Sequence, residues 1–444
     1  MSNSPEPSTS QRILILGFGA TGRAVCEFAV RHGIWACVSE QGRLSEDQQH
    51  WLRENDIPFE QLGHTTTFLG EADCVVLSPG IPTELTILEE ARRRGMPMLS
   101  ETDFALSMLG SCPVIAVTGT NGKSSTVELI GKILQSLGRK AWVAGNIGTP
   151  LISIVDEITE SDTLVLEISS YQLEQSRGFR PHIGVLLNLS PDHIRRHRDM
   201  KSYTNAKAKL FVNQESDDVA ILPRTLASQF EHGNGRRVFY DDSFKRLPTS
   251  MERLLPHERS NLRAALATCT ALLPEFDVSE IPMDAVHEAF RLPHRMEIVG
   301  AVGGVRVIND SKSTNAGSAI AALRAVDSPV VLLLGGRHKG AGYEALADEI
   351  AASDIREVIL FGEAADTLRH VFEQHLGVES MLSSVQTMRE AVVRGVSVAY
   401  PGDVLLLSPA CSSFDAFADY AERGEAFADM IRSQPGFESV QSRT

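Results

Sequence analysis

The stretch from Val114 to Gly138, VIAVTGTNGKSSTVELIGKILQSLG, constrains this chain more than any other. A β-branched apolar run, Val114 to Val117, ends in a glycine-rich turn. That turn opens directly into a pattern placing Val127, Ile130, Ile133, Leu134 and Leu137 on one face, the period of an amphipathic helix. The spacing therefore predicts strand, loop and helix. Gly119 and Gly122 let the loop fold tightly with its N–H groups turned inward, Lys123 adds a mobile positive charge, and the helix aims its positive dipole end at the same spot. Such a cradle, made by Gly119, Thr120, Asn121, Gly122, Lys123, Ser124 and Ser125, suits a nucleotide polyphosphate. Ser124, directly after the lysine, stands where phosphate loops place a hydroxyl on Mg²⁺. The loop is of a short form, since the position five residues before Gly122, commonly a glycine, is Val117.

A chain of 444 residues suits about three domains of ~150 residues each. Its 43% hydrophobic and 22% charged residues are ordinary for a globular protein, and no apolar run approaches the ~18 residues of a membrane helix. The opening MSNSPEPSTSQ lacks a basic start and an apolar core, so it reads as a polar, disordered lead rather than a signal peptide. A cytoplasmic monomer without membrane insertion is expected. Six cysteines scattered without C-x-x-C spacing indicate neither zinc nor disulfides. A net charge of −15 argues against sequence-independent nucleic-acid binding, yet leaves room for small anions in a local pocket.

Residues 12 to 40 read as a βαβ unit with Gly17, Gly19 and Gly22 at G-x-G-x-x-G spacing and Glu40 near the place of a ribose-binding acid. The same turn cradles NAD or any other diphosphate, and the spacing leaves both open. Ser78-Pro79-Gly80 forms a second phosphate-compatible turn after a strand. Beyond the phosphate loop, strand ends deliver Asn146, then Glu167, then Asn188, Asp192 and His193. In a parallel sheet these tips share the edge that carries the loop, so they are expected to converge on a triphosphate. Glu167 is a candidate Mg²⁺ ligand, because it closes an apolar strand where burial would otherwise penalise a carboxylate, and His193 a candidate second-metal or phosphate contact. Lys207 and Lys209 read as a solvated basic face, and Asn261 falls in the first turn of a helix predicted from Arg259 to Leu273. The segment Pro293 to Gly300 reads as a hinge into a third domain. There, four strand-then-polar-turn units place Asp310, Lys312, Thr314, Lys339, Ser408, Ser412 and Ser413 along one sheet edge, suited to a carboxylate-bearing substrate. The expected architecture is α/β in three domains: Rossmann-like over 1–111, a P-loop ATPase-like parallel sheet over 112–298, and Rossmann-like again over 299–444. Phosphoryl transfer fits this set of parts, with the acceptor left open among water, a hydroxyl and a carboxylate.

Longer strings narrow the choice. TGTNGKS, GNIG, LEISSYQLE, NLSPDHIRRH, HRMEIV, NDSKSTN, LLLGGRHKG and SPACSSFDAFADYAERG follow one another along nearly the whole chain, and in that order and spacing the chain resembles the Mur ligase family. NDSKSTN and SPACSSFD point to the branch that adds D-glutamate to UDP-N-acetylmuramoyl-L-alanine. Carried over residue by residue, the resemblance implies that Gly19, Ala20, Thr21, Ser78 and Gly80 hold the uridine diphosphate end, so the NAD reading falls. It implies that Lys123 binds the ATP phosphates, that Ser124 and Glu167 ligate one Mg²⁺ and His193 a second, and that Lys207 is carbamylated and ligates metal. Asn261, Arg295 and Asp310 would contact the nucleotide, with Lys312 beside the reacting groups. Thr314, Lys339, Ser413 and the backbone near Tyr420 would hold the two carboxylates of D-glutamate, while Asn146 and His193 would lie near the acceptor carboxylate. The implied reaction is an acyl phosphate formed from ATP and captured by the D-glutamate amine. One departure stands out: the family usually reads DHLDRH, where this chain has Asp192-His193-Ile194-Arg195-Arg196-His197.

Overall fold

Short apolar strands closed by polar turns recur along the chain, and they assemble into three sheets. In the computed structural model the described residues are 12–439 apart from 79, 83, 147, 177, 245–246, 248–250, 252–253, 341 and 377–380. The polar lead and Pro79 of the Ser78-Pro79-Gly80 turn lie outside them, as does the side chain of Arg195. The first sheet contains β1 (Arg12–Leu16), β2 (Trp35–Ser39), β3 (Phe59–Glu60), β4 (Cys74–Leu77) and β5 (Met98–Ser100), in the order β3-β2-β1-β4-β5 and parallel throughout. The second contains β6 (Val114–Thr118), β7 (Ala141–Gly145), β8 (Thr163–Glu167), β9 (Ile183–Leu186), β10 (Val219–Leu222) and β11 (Arg236–Phe239). Its order is β11-β10-β9-β6-β8-β7, again all parallel. Helices cover both faces of such sheets, which is why Ile115, Ala116 and Val117 are all buried and the strand reads as an unbroken apolar run.

The helix Lys123–Ser136 buries Val127, Ile130, Ile133 and Leu134 completely, each contributing about 1.5–3 kcal/mol relative to exposure. The register of β6 and β8 sets Val117 beside Glu167, so the phosphate loop and Glu167 leave neighbouring strands at the same edge. On its other side β6 pairs with β9, whose exit leads to Asn188. This edge, the carboxyl end of the parallel strands, is where open α/β sheets bind ligands.

The third sheet is mixed rather than wholly parallel. It contains β12 (Glu297–Val302), β13 (Val305–Asn309), β14 (Val330–Gly335), β15 (Ile355–Phe361), β16 (Leu382–Ser384), β17 (Val404–Ala410) and β18 (Phe437–Ser439), in the order β16-β15-β14-β17-β13-β12-β18. β12 runs antiparallel to both β13 and β18. Gly303 and Gly304, at φ 57° and 82°, join β12 to β13 by the two-residue turn with positive φ at both positions that hairpin twist favours. Of the segment expected to act as a hinge, Pro293 to Gly300, the last four residues belong to β12, with a bulge between Ile298 and Gly300.

Contacts divide the chain into two units. The first two sheets, with Thr204–Glu252 and Ser260–Val286, form one; Leu189–Tyr203, Arg253–Arg259 and His287 onward form the other. Within the first unit a polar seam joins the two sheets' surroundings. Gln172 donates to Thr102 Oγ1 (3.2 Å), Gln175 to the Ile81 carbonyl (3.2 Å) and Ser176 to Asp103 (2.7 Å). Glu101, buried in this seam, accepts from the Ile152 N–H at 3.3 Å, and burial pushes its carboxyl up to about 7.

Candidate active site

In the first unit the phosphate loop is held from the side of β9. Asn188 accepts a hydrogen bond from the Asn121 N–H through Oδ1 and donates through Nδ2 to the Asn121 carbonyl, both at 2.9 Å. Its own carbonyl accepts from the Thr120 N–H at 3.1 Å. Behind it, the Tyr240 hydroxyl donates to the Leu187 carbonyl at 2.7 Å. Asn188, expected to face a triphosphate, instead clasps the loop. Gly122, at φ 86°, caps the helix start in a conformation that favours glycine, and a Cβ there would lie 2.4 Å from Asn261 Oδ1 and have to displace that side chain. Asn261 lies in the second turn of a helix, Pro256–Leu272, that begins three residues earlier than expected. Ser124 and Ser125 are buried at the helix start, and Lys123 is partly buried.

Glu167 is 2% exposed. Its Oε1 accepts from Asn146 Nδ2 at 2.9 Å, and the Glu167 carbonyl accepts from the Asn146 N–H at 3.0 Å. Its Oε2 is buried without a hydrogen-bond partner among the described residues. An ionised oxygen stripped of water and left without a donor is costly, and a cation is the natural remedy. No group of three or more His, Cys, Asp or Glu gathers as a metal cage among the described residues. The donors on offer are one carboxylate, a hydroxyl and the phosphates themselves, a hard oxygen set that suits Mg²⁺.

Lys207, read from the residues alone as part of a solvated face, is 1% exposed. Its Nζ donates to the Gly119 carbonyl at 2.9 Å and approaches Thr118 Oγ1 at 3.3 Å. Lys123 Nζ donates to the same Gly119 carbonyl at 3.0 Å and to that of Thr120 at 3.0 Å. Two amine nitrogens thus meet on one oxygen. Lys209 is likewise engaged, with the carbonyls of Glu174 and Ser176.

At the amino-terminal sheet the helix Ala20–His32 starts at Gly19, with Gly19 and Ala20 exposed and Thr21 half-exposed. Glu40 does not project toward a ribose. Its two carboxylate oxygens accept the N–H groups of Phe18 (2.6 Å) and Gly42 (2.8 Å), closing the glycine-rich turn. Ser78 donates to the Gly17 carbonyl at 3.2 Å, tying the second turn to the first, and Gly80 is exposed beside it.

The second unit gathers the remaining candidates. Asp192, 3% exposed, accepts from the His193 N–H (2.8 Å) and from Asn315 Nδ2 (3.2 Å), and lies 3.6 Å from Lys339 Nζ and from His193 Nε2. Lys339 also donates to Thr314 Oγ1 at 3.0 Å. His193 has φ 54°, an uncommon value for a residue with a side chain, and introduces the short helix Ile194–His197. Asp310 is buried; it accepts from Ser408 Oγ at 2.8 Å, with Arg295 adding a favourable charge, yet burial outweighs both and raises its carboxyl to about 6. Lys312 Nζ lies 3.3 Å from the Tyr420 hydroxyl and 5.0 Å from the ring centre. Ser413 is buried at the turn after β17.

Arg423 was not singled out from the sequence. Fully buried, it donates to Ser311 Oγ (3.0 Å), the Ser311 carbonyl (2.8 Å) and the Cys411 carbonyl (3.1 Å), so it fixes the turns that carry Lys312 and Ser413. Burial lowers its guanidinium to about 10. A signal existed: Arg423, Phe427 and Ile431 repeat at i, i+4 and i+8 on the inward face of the helix Tyr420–Arg432.

Residues 117–238 match the family model described as Mur ligase middle domain, 294–411 that described as Mur ligase, glutamate ligase domain, and 11–100 that described as Mur ligase MurD-like, N-terminal domain. Among relatives, the chain is 35% identical to the UDP-N-acetylmuramoylalanine--D-glutamate ligase of Desulfosudis oleivorans, over 96% of this chain and 97% of that one. It is 36% identical to the enzyme of the same name from Geobacter metallireducens, over 96% and 98%. Among solved structures, UDP-N-acetylmuramate-alanine ligase MurC from Thermotoga maritima superposes with a TM-score of 0.57 at 18% identity, covering 95% of this chain and 99% of that one. MurF from Acinetobacter baumannii gives 0.57 at 14%, covering 95% and 93%. At those identities the two structures speak to the fold alone.

Proposed function

The chain belongs to the Mur ligase family, and from that premise we propose that it joins D-glutamate to UDP-N-acetylmuramoyl-L-alanine with ATP, in the synthesis of a peptidoglycan precursor. It is an ATP-dependent ligase that forms a carbon–nitrogen bond. The observation that carries the choice of substrates is that relatives named for that one reaction match it from end to end. No helix among the described residues is long and apolar enough to cross a membrane. A monomer working in the cytoplasm, where nucleotide-linked precursors are made, is the state we propose.

In this reading ATP phosphorylates the terminal L-alanine carboxylate, and the D-glutamate amine displaces phosphate from the resulting acyl phosphate. A carboxylate is a poor electrophile because oxide leaves badly, whereas phosphate leaves readily. Lys123 and the N–H groups of Gly119 to Ser125 bind the triphosphate, while Asn188 keeps the loop in its binding shape. Ser124 and Glu167 would hold Mg²⁺, a role supported by the unpartnered Glu167 Oε2, and His193 would hold a second ion. Bound there, Mg²⁺ supplies charge that offsets repulsion between triphosphate and anionic acceptor. Lys207 is proposed to act as a carbamate. Its amine and that of Lys123 share one carbonyl and so lie within about 6 Å, where two cations would repel by roughly 3 kcal/mol at an effective dielectric of 20. Converting one cation to an anion changes that repulsion to attraction.

Asn261, Arg295 and Asp310 are assigned to the nucleotide's base and ribose, and Lys312 to the reacting groups. Thr314, Lys339, Ser413 and the Tyr420 backbone are assigned to D-glutamate. Lys339 supports this, being partly buried and held by Thr314 and Asp192, so an incoming carboxylate finds a cation already oriented. Asn146 and His193 are assigned to the acceptor carboxylate, and Gly19, Ala20, Thr21, Ser78 and Gly80 to the uridine diphosphate. Phosphate release measured across a matrix of UDP-sugar acceptors and amino acids tests the reading. Release only with the L-alanine-bearing acceptor and D-glutamate together is expected; release with another amino acid in its place overturns the assignment.

A further inference from the structure

We infer that a cavity at the outer edge of the central sheet is a second binding site, built for a small molecule carrying a phosphate ester. The cavity, about 470 Å³, lies against β11 and the last turns of the helix Pro256–Leu272. That volume lies in the range of small-ligand pockets, ~300–1,000 Å³. It is remote from the phosphate loop: β11 stands three strands away from β6, about 14 Å at ~4.8 Å per strand.

The lining combines Arg224, Arg236 and Arg237 with Phe239, Phe244 and Ser243. Arg224 is committed, since it pairs with Asp242 while its guanidinium sits 4.1 Å from the Phe239 ring centre. Arg236 and Arg237 are not: neither guanidinium has a hydrogen-bond or ion-pair partner among the described residues. Acidic residues outnumber basic ones in this chain by 57 to 42, so two guanidiniums without partners among the described residues, both on residues that border one cavity, are not explained by a shortage of carboxylates. Edge strands do carry charge to discourage pairing with other chains, and exposed Arg236 can serve that end, whereas Arg237 is partly buried. Both border a concave space beside aromatic rings.

The charge count selects the ligand. Arg224 and Asp242 cancel, which leaves two positive charges, and a phosphate monoester carries about −1.5 to −2 at neutral pH. Guanidinium forks match the oxygens of phosphate and of carboxylate alike two at a time, so it is the two charges that favour a phosphate monoester over a single carboxylate. The rings of Phe239 and Phe244 offer an apolar surface to the rest of the molecule, and Ser243 offers a hydroxyl.

Phenyl phosphate is the simplest probe with both halves. Calorimetric titration is carried out on the full chain saturated with Mg²⁺ and a non-hydrolysable ATP analogue, so that the phosphate loop is filled. One further equivalent is expected to bind, and Arg236→Ala with Arg237→Ala is expected to weaken it by at least about tenfold, as loss of charge-assisted bonds should. Because neither guanidinium has a partner among the described residues, the double variant should melt and turn over ATP like the wild type. An independent readout needs no variant: in wild-type protein, methyl resonances of Ala267 and Ala271, which line the cavity, should shift with phenyl phosphate. Absence of saturable binding, unchanged affinity in the double variant, benzoate binding as tightly as phenyl phosphate, or unmoved alanine methyls would each overturn the inference.

Discussion

Asn188→Ala should loosen the phosphate loop without touching ATP. The side chain makes two bonds to Asn121, one accepted from its N–H and one donated to its carbonyl, each 2.9 Å long. At about 1 kcal/mol net apiece their loss is worth about 2 kcal/mol, or about thirtyfold in an equilibrium constant. The main-chain bond from Thr120 to the Asn188 carbonyl survives, so the loop is released on one side only. If ATP must then reorder the loop to bind, the cost falls on the KM for ATP, while kcat changes less because the bound state regains the same geometry. Asn188→Asp separates this account from simple loss of packing. It keeps the acceptor for the Asn121 N–H but sets a second carboxylate oxygen against the Asn121 carbonyl, so it should raise KM at least as much as alanine does. Steady-state phosphate release with ATP varied, at saturating acceptor and D-glutamate, measures both. A KM within twofold of wild type for the alanine variant, or a wild-type KM for the aspartate one, would refute the reasoning.

Further outcomes follow from other buried groups. Glu101, raised from its ordinary 4.5 to about 7 by burial, holds its proton in the fold where the unfolded chain has lost it. Its contribution is full below about pH 4.5 and is lost as pH rises through 7, so the gain in melting temperature from Glu101→Gln should be larger at pH 8 than at pH 5; an equal or reversed gain contradicts this. Arg423→Met strips donors from the Ser311 hydroxyl and from two carbonyls, and should cost about 3 kcal/mol of stability and raise the KM for D-glutamate. Denaturant unfolding and amino-acid titration check the two halves separately. Lys207→Ala should be nearly inactive and partly rescued by a small carboxylic acid such as formate, and wild-type enzyme incubated with ¹³CO₂ should carry label at Lys207. An active alanine variant, or no label in active enzyme, sinks the carbamate.

How far the sequence could be read depended on whether a feature was local. β6, its loop and the helix after it are contiguous, and their apolar spacing and glycines announce the strand, turn and helix that form. The mixed third sheet depended on a signal that was present but passed over. Val302-Gly303-Gly304-Val305 is a two-residue hairpin turn, and reading it as such makes the residues from Glu297 to Val302 a strand. Glu40 shows the limit of motif spacing: its distance from the glycines fits a ribose-binding acid, but a carboxylate at that point can equally accept the turn's own N–H groups, and it does. Lys207 lay beyond any local rule. Its helix offers two lysines two positions apart, which read as a solvated face, whereas Lys207 is buried with its Nζ against Thr118 and Gly119 at the end of β6. A buried cation 89 residues from the hydroxyl it approaches cannot be inferred from period or composition. Its place beside Lys123, with both amines on the Gly119 carbonyl, is what gives the proposed carbamate its chemical interest, since the modification would set an anion rather than a second cation beside Lys123 and offer two oxygens to a hard metal ion.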